Sequence, residues 1–320
     1  MKSACNRAKQ GGAALLLLML ALVLAFSVAA WRYLSSDTLR NQKLERTTQA
    51  LAIAKAALLA RATLDSNRPG SLPCPDIDND GTADATVPGG ICERSADDAA
   101  AGEDSPYIGR FPYRTLEMDD LRDGNGERLW YVLPEKLSDA NDNVINANIS
   151  SGITFNADSQ VIAIVFSAGP PLAGQTGRPS VLKNDYLEGS NAATDSSTFI
   201  SGTSTESFND IALAIRKDEW LNAIAPRVLQ MIRGHDDPAS PGEPIGGLRA
   251  YYRTPSGSPR LEFPATLPEA FSATCTVGNA NDNVLICNQW PSVSGIYARD
   301  SSDFSKATLT LGRFVVNVTP

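Results

Sequence analysis

Between Ala13 and Trp31 the chain reads AALLLLMLALVLAFSVAAW, 19 residues without a charge, close to the ~20 that a membrane-spanning helix needs. Lys2, Arg7 and Lys9 precede it, and Trp31, Arg32 and Tyr33 close it. A basic flank reads as cytoplasmic and a Trp/Tyr pair as an interfacial anchor, which places everything after Arg32 on the far side of the membrane. From Ser36 to Leu64 there is no Gly and no Pro, and Ala, Leu, Lys, Arg and Gln favour helix. Leu44, Leu51 and Leu58 repeat every seven residues, with Thr48, Ala54 and Ala62 near the alternate positions and Arg40, Lys43, Arg46 and Lys55 off the stripe. Ser36 and Asp37 could cap a fresh start. The pattern nevertheless favours one helix of about 50 residues, on the order of 75 Å long, greasy all round over 13–31 and amphipathic over 32–64. Ser27-Val28-Ala29 is a tolerable small-x-small cleavage site, but the helical pattern continuing past it favours an uncleaved span.

Beyond the helix the periodicity changes. Residues 67–106 are rich in Gly, Pro, Asp and Ala and read as a loop. Gln160-VIAIVFSAG is a continuous β-branched run ended by Gly169-Pro170-Pro171, the pattern of a buried strand. Asp210-IALAIR reads as another strand leading into a helix, with Asp218 as N-cap and Trp220, Ile224, Val228, Met231 and Ile232 on one face. Pro226 should kink that helix, and His235 reads as its carboxy-terminal cap. Leu248-RAYYRT, a hairpin around 275–287 and Ala307-TLTLGRFVVNV alternate as antiparallel strands. The expected fold is α+β: a long amino-terminal helix packed on an antiparallel sheet within an enlarged domain over 65–320.

Composition narrows the function. The formal net charge of −8 and pI of about 4.8 offer no bulk attraction to a phosphate backbone, so nucleic acid is not an expected partner. A single histidine excludes sites built from several imidazoles, and there is no G-x-S-x-G elbow for a nucleophile. The chain is therefore not expected to be an enzyme. Arg110, Phe111, Tyr113, Trp130 and Tyr131 could form a ligand platform, though a core with its rim is the commoner outcome. The Ser/Thr/Asn-rich stretch 189–207 reads as an exposed loop without a phosphate-cradling pattern.

Of five cysteines, Cys5 precedes the apolar run, and the others form two local pairs with 17 and 11 intervening residues. In an oxidising compartment these read as disulfides Cys74–Cys92 and Cys275–Cys287. Neither has the spacing of a zinc site or of a redox Cys-x-x-Cys. Inside the first loop stand Asp76, Asp78, Asp80, Gly81, Thr82 and Asp84. Carboxylates at positions 1, 3, 5 and 9 with Gly at 6 and a backbone carbonyl from Thr82 at 7 reproduce the first part of a calcium loop. Position 12 is Val87, so the bidentate Glu is missing; Glu93, Asp97, Asp98 or water would have to complete the shell. The alternative is an Asx-rich solvated turn. Residues 139–143 and 279–283 look similar but lack the Gly and read as turns.

The leader MKSACNRAKQGG followed by this long helix resembles the type IV pilin superfamily of pilins, minor pilins and pseudopilins of type II secretion. The resemblance implies cleavage by prepilin peptidase after Gly12, exposing Ala13 for methylation, or less readily after Gly11. Residues 1–12 would then be the leader, and their removal takes the charge from −8 to −11. It also implies a single-pass bacterial inner-membrane protein with a periplasmic carboxy-terminal domain, whose partners are other pilins or pseudopilins. The family's Glu at the fifth mature position is replaced by Leu17. That departure is similar to the K-type pseudopilin at the pseudopilus tip, a calcium binder, and implies a tip position. The alternative expectation is a membrane-anchored, calcium-dependent binding module or adhesin, with a pocket near Trp130 or 189–207. A calcium-dependent periplasmic hydrolase would instead require a carboxylate pair in a cleft.

Overall fold

A computed structural model describes residues 11–65, 68–86, 91–140, 144–237, 240–245, 247–252, 261–268, 290 and 292–320. Cys5, Val87, Cys275, Cys287 and the turn at 279–283 lie outside the described residues. Helix α1 (Gly11–Leu64) runs unbroken for 54 residues, as the absence of Gly and Pro beyond Gly12 predicts. Four antiparallel strands follow in the main sheet: β1 (Tyr107–Arg110), β2 (Trp130–Leu133), and, after the short β3 (Thr154–Phe155), β4 (Val161–Ser167). Short β5 (Thr198–Phe199) pairs with β3, and β6 (Ile211–Arg216) completes the sheet order β1-β2-β4-β6. Helix α2 (Lys217–Arg233) leads to the hairpin β7 (His235–Asp237) and β8 (Ser240–Ile245), then to α3 (Gly247–Tyr252). A second antiparallel sheet closes the chain with β9 (Tyr297–Arg299), β10 (Ala307–Leu311) and β11 (Phe314–Val318).

The two halves of α1 behave differently. Ala14–Trp31 is long and apolar enough to cross a membrane, and none of it is buried in the protein. In the second half Thr47, Ala50, Leu51, Ala54, Leu58 and Ala62 are buried against α2, β4 and β6, following the i, i+3, i+4 spacing of one helix face. The heptad pattern places Thr48 on that face. It is instead exposed, its hydroxyl returned to the Leu44 carbonyl (2.9 Å). Thr47 takes the buried place because cover begins where its hydroxyl accepts the Gly124 amide (3.0 Å). At that point a Cβ on Gly124 would stand 2.0 Å from the Lys43 carbonyl oxygen, so only glycine admits this approach. Lys55, off the stripe, pairs with Glu219 of α2 (2.6 Å) and donates to the Ala214 carbonyl of β6 (3.0 Å).

Side chains of the main sheet alternate between two cores. Tyr131, Leu133, Val165 and Ile215 face α1 and α2, while Trp130, Val132, Ile164 and Phe166 face a layer of loops carrying Ile153, Tyr186, Leu187 and Phe199. Every residue of β4 is buried, which explains its unbroken apolar run in a sheet that is antiparallel. The 189–207 stretch, expected as an exposed loop, covers this second face through Phe199, whose ring lies 6.0 Å from that of Phe166.

Three local expectations are corrected. Leu248-RAYYRT forms α3 over its described part, because Leu248, Tyr251 and Tyr252 are the residues that bury and their spacing is helical. Helix α2 starts earlier than predicted: Arg216 holds the N-cap position, its amide bonded to Glu219 (3.0 Å), and Asp218 lies in the first turn. Gly234, at φ 85°, ends α2, so His235 opens β7 instead of capping the helix. Helix α2 continues through Pro226.

Leu58 is wholly buried and Leu44 about half exposed. Leu58→Ala is therefore expected to destabilise the domain by about 2–5 kcal/mol, and Leu44→Ala by less than about 0.5 kcal/mol. Denaturant melts of the full chain in detergent measure both.

Candidate metal centre

The acidic loop is held at both ends. The Cys74–Cys92 disulfide closes it, with both sulfurs buried beside the Ser138 hydroxyl. Asp76 pairs through its backbone with Arg110 at the edge of β1 (2.9 and 2.6 Å). Between these anchors the chain doubles back through Asn79 (φ 67°) and Gly81 (φ 95°). Gly81 packs against the Tyr113 ring, where a Cβ would come within 2.4 Å of a ring carbon.

The aspartates first serve the turn itself. One Asp76 oxygen accepts the amides of Asn79 (2.6 Å) and Asp80 (3.2 Å), the other that of Gly81 (2.8 Å). Asp84 accepts Ile77 N–H (2.6 Å), Asp78 accepts Asp80 N–H (3.0 Å), and Asp80 accepts Thr82 N–H (2.6 Å). These bonds organise a tight Asx-type turn. They also leave one oxygen each of Asp76, Asp78 and Asp84 within 4.8 Å of one another. Asp76 is fully buried. Its burial, with Asp84 and Asp78 adding negative charge, pushes its carboxyl up to about 6, against the pull of the Gly81 and Asn79 amides. Such an all-oxygen, all-carboxylate set suits a hard cation such as calcium, which takes six to eight oxygens.

Of the five residues predicted as ligands, Asp76, Asp78 and Asp84 come together. Asp80 stands outside that cluster, capping the Thr82 amide. Two of the remote acids are committed elsewhere: Asp98 pairs with buried Lys183 (2.7 Å), and Asp97 accepts the Asn184 amide (3.0 Å). Sequence reasoning missed the cation beside the loop. Arg128 donates to the carbonyl and side-chain oxygens of Asn79 and to the Tyr113 hydroxyl (3.1 Å), while its Nε bonds Asp120 (2.9 Å). Arg128 lies 49 residues from Asn79, so no local pattern marks it.

The aromatic stretch is core. Trp130 and Tyr131 are wholly buried, and Arg110 is sandwiched between the Trp130 and Tyr186 rings at 4.0 Å from each centroid. Asp139, expected in a simple turn, pairs with Arg61 of α1 (3.1 Å). Gly11, Gly12 and Ala13 form the start of α1, and Leu17 is exposed.

The chain matches no protein-family model, no curated protein and no solved structure.

Because Asp76 holds its proton more tightly in the folded chain than its ordinary value near 3.8, its contribution to stability is present below about pH 4 and lost as pH rises through about 6. In divalent-free buffer, wild type is expected to lose on the order of 2 kcal/mol relative to Asp76→Asn between those values and nothing further above them. Paired denaturant titrations across pH measure that difference, whatever constant offset the substitution adds.

Proposed function

We propose that the protein is a structural subunit of the pilin or pseudopilin kind. Its amino-terminal helix lies in the bacterial inner membrane and joins other such helices, and its larger domain stands in the periplasm. The observation that carries this reading is the division of one unbroken 54-residue helix. Eighteen apolar residues, Ala14–Trp31, are bare, while Ala50, Leu51, Ala54, Leu58 and Ala62 are sunk in an α+β domain. Bare leucines need lipid or another helix around them. An anchor alone needs only the first half; continuity into a rigid domain couples the domain's position to that of the membrane segment. Leu17, exposed where pilins carry Glu, has no carboxylate to offer a neighbouring subunit's amino terminus, which favours a tip or initiating position.

Calcium binding at Asp76, Asp78 and Asp84 belongs to the same proposal, with water completing the shell. It is also the observation that favours the second reading, a membrane-anchored calcium-dependent binding module. The burial of Trp130 weighs against a ligand pocket at that residue.

Co-expression with a prepilin peptidase is expected to give a membrane-extracted chain beginning at Ala13, or at Gly12, by intact mass; an unprocessed Met1 or cleavage after Ala29 would overturn the pilin reading. Millimolar calcium at pH 7.5 is expected to raise the melting temperature of wild type but not of Asp84→Asn, by the equivalent of about 2.7 kcal/mol at a hundredfold excess over Kd. At pH 5, where Asp76 keeps its proton, the shift should shrink.

A further inference from the structure

A buried pair of acids that the metal centre does not use lies under the loop layer. Glu188, just before the 189–207 stretch, and Asp210, just before β6, are 8% and 0% exposed. Their hydrogen bonds can be counted. The two Glu188 oxygens accept the Gln175 amide (2.6 Å) and the Asn209 N–H (3.0 Å). One Asp210 oxygen accepts both the Glu188 N–H (3.0 Å) and the Asn191 side-chain amide (2.9 Å). The other, Oδ1, is buried and has no donor among the described residues. A buried carboxylate oxygen without a donor is costly, and two ionised carboxylates in one dry site repel.

Both problems are removed by a single hydrogen. We infer that Glu188 and Asp210 share one proton, carried on Asp210 Oδ1, and that this proton latches the 188–210 loop over the second face of the sheet.

The pair's surroundings leave the proton as the means of neutralisation. Glu188 is the charged group facing Asp210. Arg178 is one side chain further away, donating to Gln175 Oε1 (2.7 Å), whose amide in turn meets Glu188. Lys183 directs its ammonium to Asp98 (2.7 Å). From β4 and β6 the neighbouring side chains of this core are apolar, Phe166 and Ala212 among them. Burial and the Glu188 charge push Asp210 up to about 8, which agrees with the hydrogen-bond count.

The latch has a definite reach. Asn191, held by Asp210, also donates to the Ile200 carbonyl and accepts the Ile200 amide (both 2.9 Å), and next to Ile200 is Phe199, whose ring meets that of Phe166 edge-on. Losing the proton to solvent places two charges where one sat, so the loop is the element that yields. In the open, solvated loop Asp210 returns to the ordinary carboxylate range near 4. Between about pH 4 and 8 the closed loop therefore holds one proton more than the open one, and closure weakens as pH rises through that window.

Amide hydrogen exchange on the full chain in detergent tests this. Protection factors at Glu188, Ile200 and Ala212, corrected for intrinsic rates, are expected to fall about tenfold per pH unit between pH 5 and 8 and to level off above. Asp210→Asn, whose amide supplies the missing donor to Glu188 without titrating, should remove that slope while the loop stays protected. Protection that is flat with pH in wild type, or an equal slope in Asp210→Asn, overturns the proposal. Should the variant not fold, carboxyl carbon resonances of wild type give the same answer: Asp210 stays protonated to about pH 8, or it ionises in the ordinary carboxylate range and the latch is excluded.

Discussion

Three small side chains set how closely the long helix lies on the domain. Ala50, Ala54 and Ala62 are buried on one face of α1, with Leu51 and Leu58 filling the spaces between them. Alanine leaves room for the helix backbone to come near the sheet, and each leucine then buries about 1.5–3 kcal/mol of apolar surface. This seam joins α1 to α2, β4 and β6. Without it the apolar span of 14–31 and the folded domain would be connected by a hinge. Lys55 bonding to Glu219 and Ala214, Gly124 against Lys43, and Arg61 with Asp139 fix the rotation of α1 on that surface.

Once α1 and α2 occupy one face of the main sheet, the other face is covered by loops and the short β3–β5 pair. That layer carries much of the buried polarity. Lys183 with Asp98, Arg110 between two aromatic rings, and Glu188 with Asp210 all lie in it or against it. Loops bring backbone carbonyls and amides that helices would have satisfied internally, and charged side chains answer them: buried Lys183 donates to the Ala193 carbonyl and half-buried Arg178 to those of Gly169 and Asp185. The layer is thus held by polar bonds to specific partners and by a few aromatic contacts, a composition that permits local opening while the helix side stays closed.

The acidic loop follows the same logic on a smaller scale. Its aspartates are spaced to turn the chain, and the turn in turn gathers Asp76, Asp78 and Asp84. What keeps that charge in place comes from outside the loop: the disulfide, the edge of β1, the Tyr113 ring and the Arg128 guanidinium. A solvated turn of the same sequence would have four independent carboxylates; here one is fully buried and titrates near 6.

Features governed by local periodicity were legible in the residues: the helix from its lack of Gly and Pro, β4 from its apolar run, the β10–β11 hairpin from its alternation, and the 74–92 disulfide from cysteine spacing. Where local signals conflict, burial decided. Leu248–Tyr252 has strand-forming tyrosines yet folds as helix because its apolar positions meet the core at helical spacing. Asp80 has the spacing of a ligand but spends its oxygen on a cap. Arg128 at the loop and Asp210 beside Glu188 depend on contacts across 49 and 22 residues. The sequence by itself determined the long helix, the buried strand β4 and where negative charge is dense, because those follow from residues close along the chain. Which acids stand together, which are dry and which meet a cation was decided only by the tertiary structure, since pairing and desolvation arise when distant segments close over the same sheet.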